Sequence, residues 1–519
     1  MVNHDQKAVI AFLTNPSTYG MTAPVERIDT HISHLFLIGT RAFKLKRAVS
    51  LPYLDFSNPD RRFEACKQEL TLNRRTAPEL YLGVRRITGG ATGCEFDGAG
   101  PLLDAVVEMQ RFDQEDIFDQ MALQGKLTLR LLDTLAREIS TFHAVAPMVG
   151  TAAGAENIAS VLNINEAGFR QSTVFTEDEI SRLGSAFAAR LYTHAAQLDD
   201  RAKAGQVRRC HGDLHLRNIC LYQGHVRLFD CLEFNDALAT VDLLYDLAFL
   251  VMDLWHRGLR AEASHVANRY FDTSDQEDGY NLMPFFTALR AAVRAHVTAT
   301  QAESTKQNRK ALADEARSYF DLAEQLLVPK VPRLVAIGGL SGSGKSTLAE
   351  ALAPHLDCAP GARVISSDRT RKAMFNVAPE IALPPEAYTP EVSARVYAAM
   401  TQRAQKLLSK GVTVIADAVH ERSEDRAQIQ AAAQNVNARF DGLWLQADPE
   451  LLRSRMNTRD PGASDADVEV LAKQLARART VTDWQSIVTT GSLSDSISSA
   501  LQRLNATSVQ TSPHKDGRS

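Results

Sequence analysis

Two strings in this chain have the residue types and spacing that phosphoryl chemistry requires. Residues 339–346 read Gly-Leu-Ser-Gly-Ser-Gly-Lys-Ser. They satisfy every position of the G-x-x-x-x-G-K-[ST] pattern, a tight loop whose amides face phosphate oxygens and whose lysine reaches the terminal phosphates. Gly339, Ser341, Gly342, Ser343, Gly344, Lys345, Ser346 and Thr347 are therefore the expected nucleotide contacts, with Ser346 also a magnesium ligand. Residues 211–218 read His-Gly-Asp-Leu-His-Leu-Arg-Asn, the layout of a catalytic loop for phosphoryl transfer. Two nucleotide sites, each using ATP and Mg2+, are expected in one polypeptide.

In the 211–218 string the spacing carries the argument. Asn218 follows Asp213 by five positions, and Asp230 follows Asn218 by twelve. Between them lie two short apolar stretches, 219–222 and 225–229, divided by Gln223-Gly224, which read as a hairpin that folds Asp230 back beside Asn218. A loop carboxylate, an amide oxygen and a second carboxylate are the set needed to receive a hydroxyl proton and hold magnesium on ATP.

The elements around the 339–346 string suit a nucleotide loop. An apolar strand at 334–337 precedes it and a helix follows at once, adding its unpaired amides and dipole to phosphate binding. A strand running to Asp368, beside Arg369 and Arg371, is suited to binding or deprotonating an acceptor hydroxyl. Another strand, 412–417, ends on Asp417, where a carboxylate can act through the magnesium shell. Arg453, Arg455 and Arg459 precede Asp460-Pro461-Gly462 and could neutralise transition-state charge, Arg455 being the one singled out. Cys358, His420 and Trp444 stand outside any motif and read as packing residues.

The whole chain bounds these readings. Its 519 residues are 45% apolar and 23% charged, with 58 basic and 62 acidic side chains for a net charge of -4. That is ordinary globular material with no overall drive toward nucleic acid or membrane. Six cysteines without a C-x-x-C pair suit reduced thiols and a cytoplasmic location, and structural zinc is not expected. No signal peptide is read at the N-terminus. The longest apolar run, 243–255, is interrupted by Asp246 and Asp253 and falls short of a membrane span. Two prolines at 329 and 332 mark a joint, dividing the chain into 1–327 and 331–504. Residues 505–519 are polar and read as a disordered tail.

On residues 211–218, 230 and 242–248, the stretch from about 30 to 300 resembles the aminoglycoside phosphotransferase and choline kinase branch of the protein-kinase-like fold. The resemblance implies that Asp213 is the catalytic base, that Asn218 and Asp230 are magnesium ligands and that Asp246 supports the loop, with His211 and His215 orienting it. It also calls for a strand lysine held by a helix glutamate against the phosphates. Lys44 is the favoured lysine, although Lys46 shares its strand face. Glu69 is the favoured partner, Glu64 the next. Glu233 either supports a metal ligand or pairs with a base at the surface. No glycine-rich loop lies between the first two strands, which departs from protein kinases.

Residues 331–504 are similar to small-molecule P-loop kinases of the AAA_33 type, and the 453–462 segment to the lid of gluconate-kinase-like enzymes. The whole chain resembles bacterial fusions of the two domains. The fold class expected is thus α/β and α+β: a bilobal protein-kinase-like fold followed by a three-layer α/β/α P-loop domain with a parallel sheet. The function implied is an ATP- and Mg2+-dependent kinase acting on hydroxyl groups of small molecules, a sugar, polyol or aminoglycoside-like compound. The alternatives are one active and one sensing centre, or a nucleotide-regulated switch with ATPase activity.

Overall fold

The computed structural model describes residues 5–51, 54–91, 93–151, 153–305, 308–458, 464–477 and 481–510. The chain forms two compact units that interleave in sequence: Met1–Leu254 with Leu289–Arg317, and Trp255–Ala288 with Ser318–Ser519.

In the first unit, strands β1 (Glu26–Asp29), β2 (Ser33–Ile38), β3 (Arg41–Lys46), β4 (Tyr81–Gly90), β5 (Gly93–Phe96) and β6 (Leu102–Gln110) form one antiparallel sheet in the order β1-β2-β3-β6-β4-β5. Gly39, with φ +52°, makes the tight turn between β2 and β3. Alternation along β3 sends Phe43 and Leu45 to one face, where they pack with Phe36, Ile87 and Val106. Ala42 goes to the other face with Leu37, Val107 and Cys66. Lys44 and Lys46 share Ala42's parity, so both point toward helix α1 (Pro59–Asn73), which carries Cys66. That helix starts cleanly, with Asn58 capping the Arg61 amide and proline at its first position.

Strands β7 (Ile219–Tyr222) and β8 (His225–Leu228) form the hairpin expected around Gln223-Gly224, and both turn residues have positive φ. The apolar run at 243–255 is helix α2 (Leu243–His256), buried along nearly its whole length. It is a core helix whose aspartates serve the loop described below. Among the described residues, no helix is long and apolar enough to cross a membrane.

The second unit contains a parallel sheet of β9 (Arg333–Gly339), β10 (Arg363–Ser366), β11 (Val414–Asp417), β12 (Arg439–Gln446) and β13 (Gln485–Val488), in the order β10-β11-β9-β12-β13. Continuous apolar strands suit a parallel sheet covered on both faces. One face packs helix α4 (Lys345–Leu356) and helix α8 (Leu493–Gln510) through Leu348, Leu352, Ala500 and Leu504. The α/β and α+β class with a parallel P-loop sheet is therefore present as expected.

Two features differ from the sequence reading of the domain limits. Helix α3 (Arg260–Thr273) precedes the 329–332 prolines, yet it packs on α4 within the second unit. The cause is a buried charge: Arg363, fully inaccessible, is held by Asp272 at 2.7 Å, Glu277 at 3.1 Å and the Asn268 side chain at 3.0 Å. Secondly, α8 continues through Gln510, so residues 505–510 are helical rather than part of a tail. Buried Ala500 and Leu504 anchor that helix. Residues 511–519 lie outside the described residues.

Candidate active sites

In the first unit the site is assembled from β3, α1, the 211–218 loop and the end of the β7-β8 hairpin. Lys44 Nζ donates to Glu69 Oε1 at 2.9 Å and also pairs with Asp230. Asp230 is brought there by the hairpin: the Phe229 amide donates to the Asn218 carbonyl at 3.0 Å. Asp230 itself is in the left-handed region at φ +62°, its amide donating to the Tyr81 hydroxyl at 3.0 Å. A non-glycine residue held there by its surroundings marks a place where the fold dictates side-chain direction. Glu64 is absent from this cluster and pairs with Lys67 on the surface.

Asn218 Nδ2 donates to Asp213 Oδ2 at 2.9 Å and to the Asp213 carbonyl at 2.9 Å. His215 Nε2 lies 3.4 Å from Asp213 Oδ2. Burial pushes the Asp213 carboxyl up, but His215, His211 and Arg294 outweigh it and hold it well below the usual carboxylate range. Asp246 is wholly buried and accepts from the Gly212 amide at 2.8 Å and the His211 amide at 3.2 Å. Asp253, one turn pair further along α2, accepts from the Leu216 amide at 3.0 Å. Two carboxylates on one helix thus fix the backbone on either side of Asp213. The His211 ring donates to the Phe229 carbonyl at 3.0 Å, tying the loop to the hairpin.

Lys46 and Glu233 were left open by the sequence, and both are buried here. Lys46 Nζ pairs with Glu69 Oε2 and with Glu233 Oε1. Glu233 is therefore no surface partner. Burial acts against the charge of both glutamates; the lysines bring Glu69 down to about 2, whereas Glu233 stays raised.

In the second unit the loop after β9 has Gly342 at φ +80° and Gly344 at φ +88°. A Cβ at Gly342 would come within 2.8 Å of the Leu452 carbonyl, so that position requires glycine for conformation and for space. Lys345 Nζ donates to the Leu340 carbonyl at 3.0 Å across the loop. Ser346 Oγ donates to Asp417 Oδ2 at 2.7 Å. Burial raises the Asp417 carboxyl to about 6, against the opposing pull of Lys345 and Ser346. Thr347 is exposed in the first turn of α4.

Asp368 falls in the first turn of helix α5 (Ser367–Met374), where the helix dipole favours its charge, and it acts electrostatically on Asp417. Arg369 and Arg371 are engaged away from it, Arg369 with Asp272 at 3.6 Å and Arg371 with the Ala387 carbonyl at 2.6 Å. On helix α6 (Pro449–Thr458), Arg455 donates to the Thr489 carbonyl at 2.6 Å, and Arg453 pairs with Glu450 at the surface. Arg459 and Asp460-Pro461-Gly462 lie outside the described residues.

Two contacts to the phosphate loop had no sequence signal. Thr489 Oγ1 donates to the Ser343 carbonyl at 3.0 Å, and Gln474, on helix α7 (Val468–Arg477), accepts from the Ser341 amide at 2.8 Å. His420, read as packing, is buried edge-on against Trp484 and Tyr397.

Both sites fit magnesium nucleotide. Their prospective ligand atoms are hard oxygens, from Asn218 and Asp230 in one and from Ser346 and Asp417 in the other, as magnesium requires. The Ser341 amide already faces an acceptor oxygen, which is the role a phosphate would fill.

Residues 38–282 match the phosphotransferase enzyme family and residues 334–481 match an AAA domain. The first segment thus carries a phosphotransferase-type domain and the second a P-loop AAA domain, and the chain is a kinase-type enzyme. The uncharacterized protein Rv2004c of Mycobacterium tuberculosis is 29% identical over 466 residues, covering 88% of this chain and 90% of its own. Mb2027c of Mycobacterium bovis, also uncharacterized, matches to the same extent. Among solved structures, a choline/ethanolamine kinase family protein from Mesorhizobium loti is similar at 14% identity and TM-score 0.39, covering 62% of this chain and 94% of that one. A gluconokinase from Sinorhizobium meliloti 1021 is similar at 18% identity and TM-score 0.27, covering 35% and 99%.

Proposed function

We propose that this kinase-type enzyme is ATP- and Mg2+-dependent and has two nucleotide centres, each serving transfer to a hydroxyl group of a small molecule such as a sugar, polyol or aminoglycoside-like compound. The observation that carries the reading is the meeting of Glu69 and Asp230 on Lys44, beside an Asp213 carboxylate held by Asn218. Bound MgATP would supply the phosphoryl group and the metal that neutralises it.

In the first centre Lys44 orients phosphate, and Asn218 and Asp230 hold the metal. Asn218 spends its amide protons on Asp213, which leaves its amide oxygen as the ligand atom. Asp213 receives the acceptor's hydroxyl proton. In the second centre the loop amides and Lys345 hold phosphates, Ser346 and Asp417 hold the metal, and Asp368 is the base for an acceptor. Arg455, on α6, is the residue assigned to transition-state charge.

The test is product analysis by mass spectrometry of the full chain with MgATP and a mixed set of sugars, aminoglycosides and polyols, in wild type, Asp213→Asn and Lys345→Ala. An acceptor-dependent phosphorylated product, lost in one variant and kept in the other, is the expected result. Phosphate release that ignores every acceptor would rule the reading out.

Magnesium binding at the second centre is expected to depend on pH. A metal ligand must be deprotonated, and the Asp417 carboxyl sits near 6. Magnesium-dependent nucleotide affinity should therefore fall by up to about tenfold per pH unit below 6. Calorimetric titration of wild type against Asp417→Asn checks this, since the variant should lack that pH dependence. The folding sign is opposite. A carboxyl raised from 3.8 to about 6 binds its proton more tightly in the folded state, so its contribution makes the nucleotide-free unit more stable as pH falls through that window.

A further inference from the structure

We propose that Lys46 and Glu233 are positioning residues of the first centre, a second buried ion pair that lets Lys44 exchange Asp230 for a nucleotide phosphate. The inference rests on the reading of that centre as a MgATP site. Lys44 Nζ contacts both Glu69 Oε1 and Asp230 Oδ1, so it occupies the place beside Asp230 that a metal ion would need. For nucleotide to bind, Lys44 must leave Asp230 and turn toward phosphate.

Glu69 is fully buried, and a buried carboxylate stripped of its counter-charge is strongly unfavourable. Lys46 removes that obstacle. It holds the other oxygen of Glu69, so the carboxylate stays paired while Lys44 moves. Lys46 is itself fully buried and is balanced by Glu233, three residues beyond Asp230 on the same segment. The pair thereby also ties the Asp230 loop to β3.

Charge counting points the same way. Lys44 and Lys46 face Glu69, Glu233 and Asp230, two positive groups against three negative ones. The Glu69 and Glu233 side chains are 0% and 4% exposed, whereas that of Asp230 is 38% exposed. The surplus negative charge therefore settles on the carboxylate that can reach a cation.

The test uses the full chain with Lys345→Ala to silence the second centre, and measures binding of a non-hydrolysable ATP analogue by calorimetry, with magnesium and with chelator. Lys46→Met strands Glu233 and should weaken magnesium-dependent binding by about tenfold or more, while chelated binding changes by less than about threefold. Lys46→Met with Glu233→Gln removes both charges and should recover stability, while magnesium-dependent binding stays weakened by about tenfold or more, because Glu69 then has Lys44 alone. A double variant, or a Lys46→Met protein, that binds magnesium nucleotide like the parent overturns the proposal. Melting temperatures of the nucleotide-free variants form the second readout. If the double variant recovers stability but the parent takes up no nucleotide, the MgATP reading fails and the positioning role falls with it.

Discussion

Asp213→Asn is expected to lower kcat for phosphoryl transfer at the first centre by about 100- to 10,000-fold, the range for losing a positioned general base. The substitution is nearly isosteric, and a side-chain oxygen at residue 213 can still accept from Asn218 Nδ2, as Asp213 Oδ2 does at 2.9 Å. The loop backbone is held independently by Asp246 and Asp253 through the Gly212, His211 and Leu216 amides. Nucleotide affinity and melting temperature should therefore stay close to wild type while transfer is lost. Retention of more than about a tenth of wild-type kcat would remove Asp213 from the role of base. Because the neighbouring histidines and Arg294 keep its carboxyl well below the ordinary range, the wild-type base stays ionised through mildly acidic pH. Transfer should show no acid limb from Asp213 in that range.

The second large effect concerns folding. Arg363→Ala in the full chain is expected to destabilise the second unit by about 3–5 kcal/mol, because it empties a buried site and takes from Asp272, Glu277 and Asn268 the guanidinium they share, leaving Arg269, Arg369 and Arg403 to pair with the two carboxylates. Asp272 is held well below the usual carboxylate range, burial opposing and Arg363 leading the groups that lower it. Its contribution is present above the ordinary aspartate value and is lost as pH falls, so the gap between wild type and variant should narrow in acid. The same reasoning applies to a fragment spanning 331–519. It would lack the partners of Arg363 and of the Val364 amide, which donates to Asn268 Oδ1 at 2.8 Å. It would also uncover Glu350 on α4, which pairs with Arg269 of α3. Against a typical total stability of about 5–15 kcal/mol, that fragment should not melt cooperatively near the full chain's temperature. Denaturation followed by circular dichroism decides the matter, and a fragment that melts like the full chain would show that α3 is dispensable.

The α3 case shows where sequence reading stops. The prolines at 329 and 332 are a genuine local break, and the strand and loop that begin beyond them were legible from the local apolar run and the glycine-lysine spacing. Nothing in the order of residues says that a helix ending at Thr273 lies under a strand starting at Arg363. Likewise Arg369 and Arg371 were read as neighbours of Asp368 because they follow it, whereas their guanidinium groups are drawn to Asp272 and the Ala387 carbonyl. Adjacency in sequence set their position on the helix, and packing set their direction.

By itself the sequence determined the pieces whose geometry is local: the glycine loop before Lys345, the hairpin that carries Asp230, the alternation that puts Lys44 and Lys46 on one face. These depend on backbone conformations and periodicities that a few consecutive residues impose. Only the tertiary structure decided which carboxylates Lys46 and Arg363 meet, and which groups meet the loop amides. It paired Lys46 with Glu233, Gly212 with Asp246, Ser341 with Gln474 and Arg363 with Asp272. A buried charge or amide must find a partner, and the partner is whichever group the topology delivers within hydrogen-bond reach. Such pairs are separated by tens to nearly two hundred positions, a distance across which spacing carries no information.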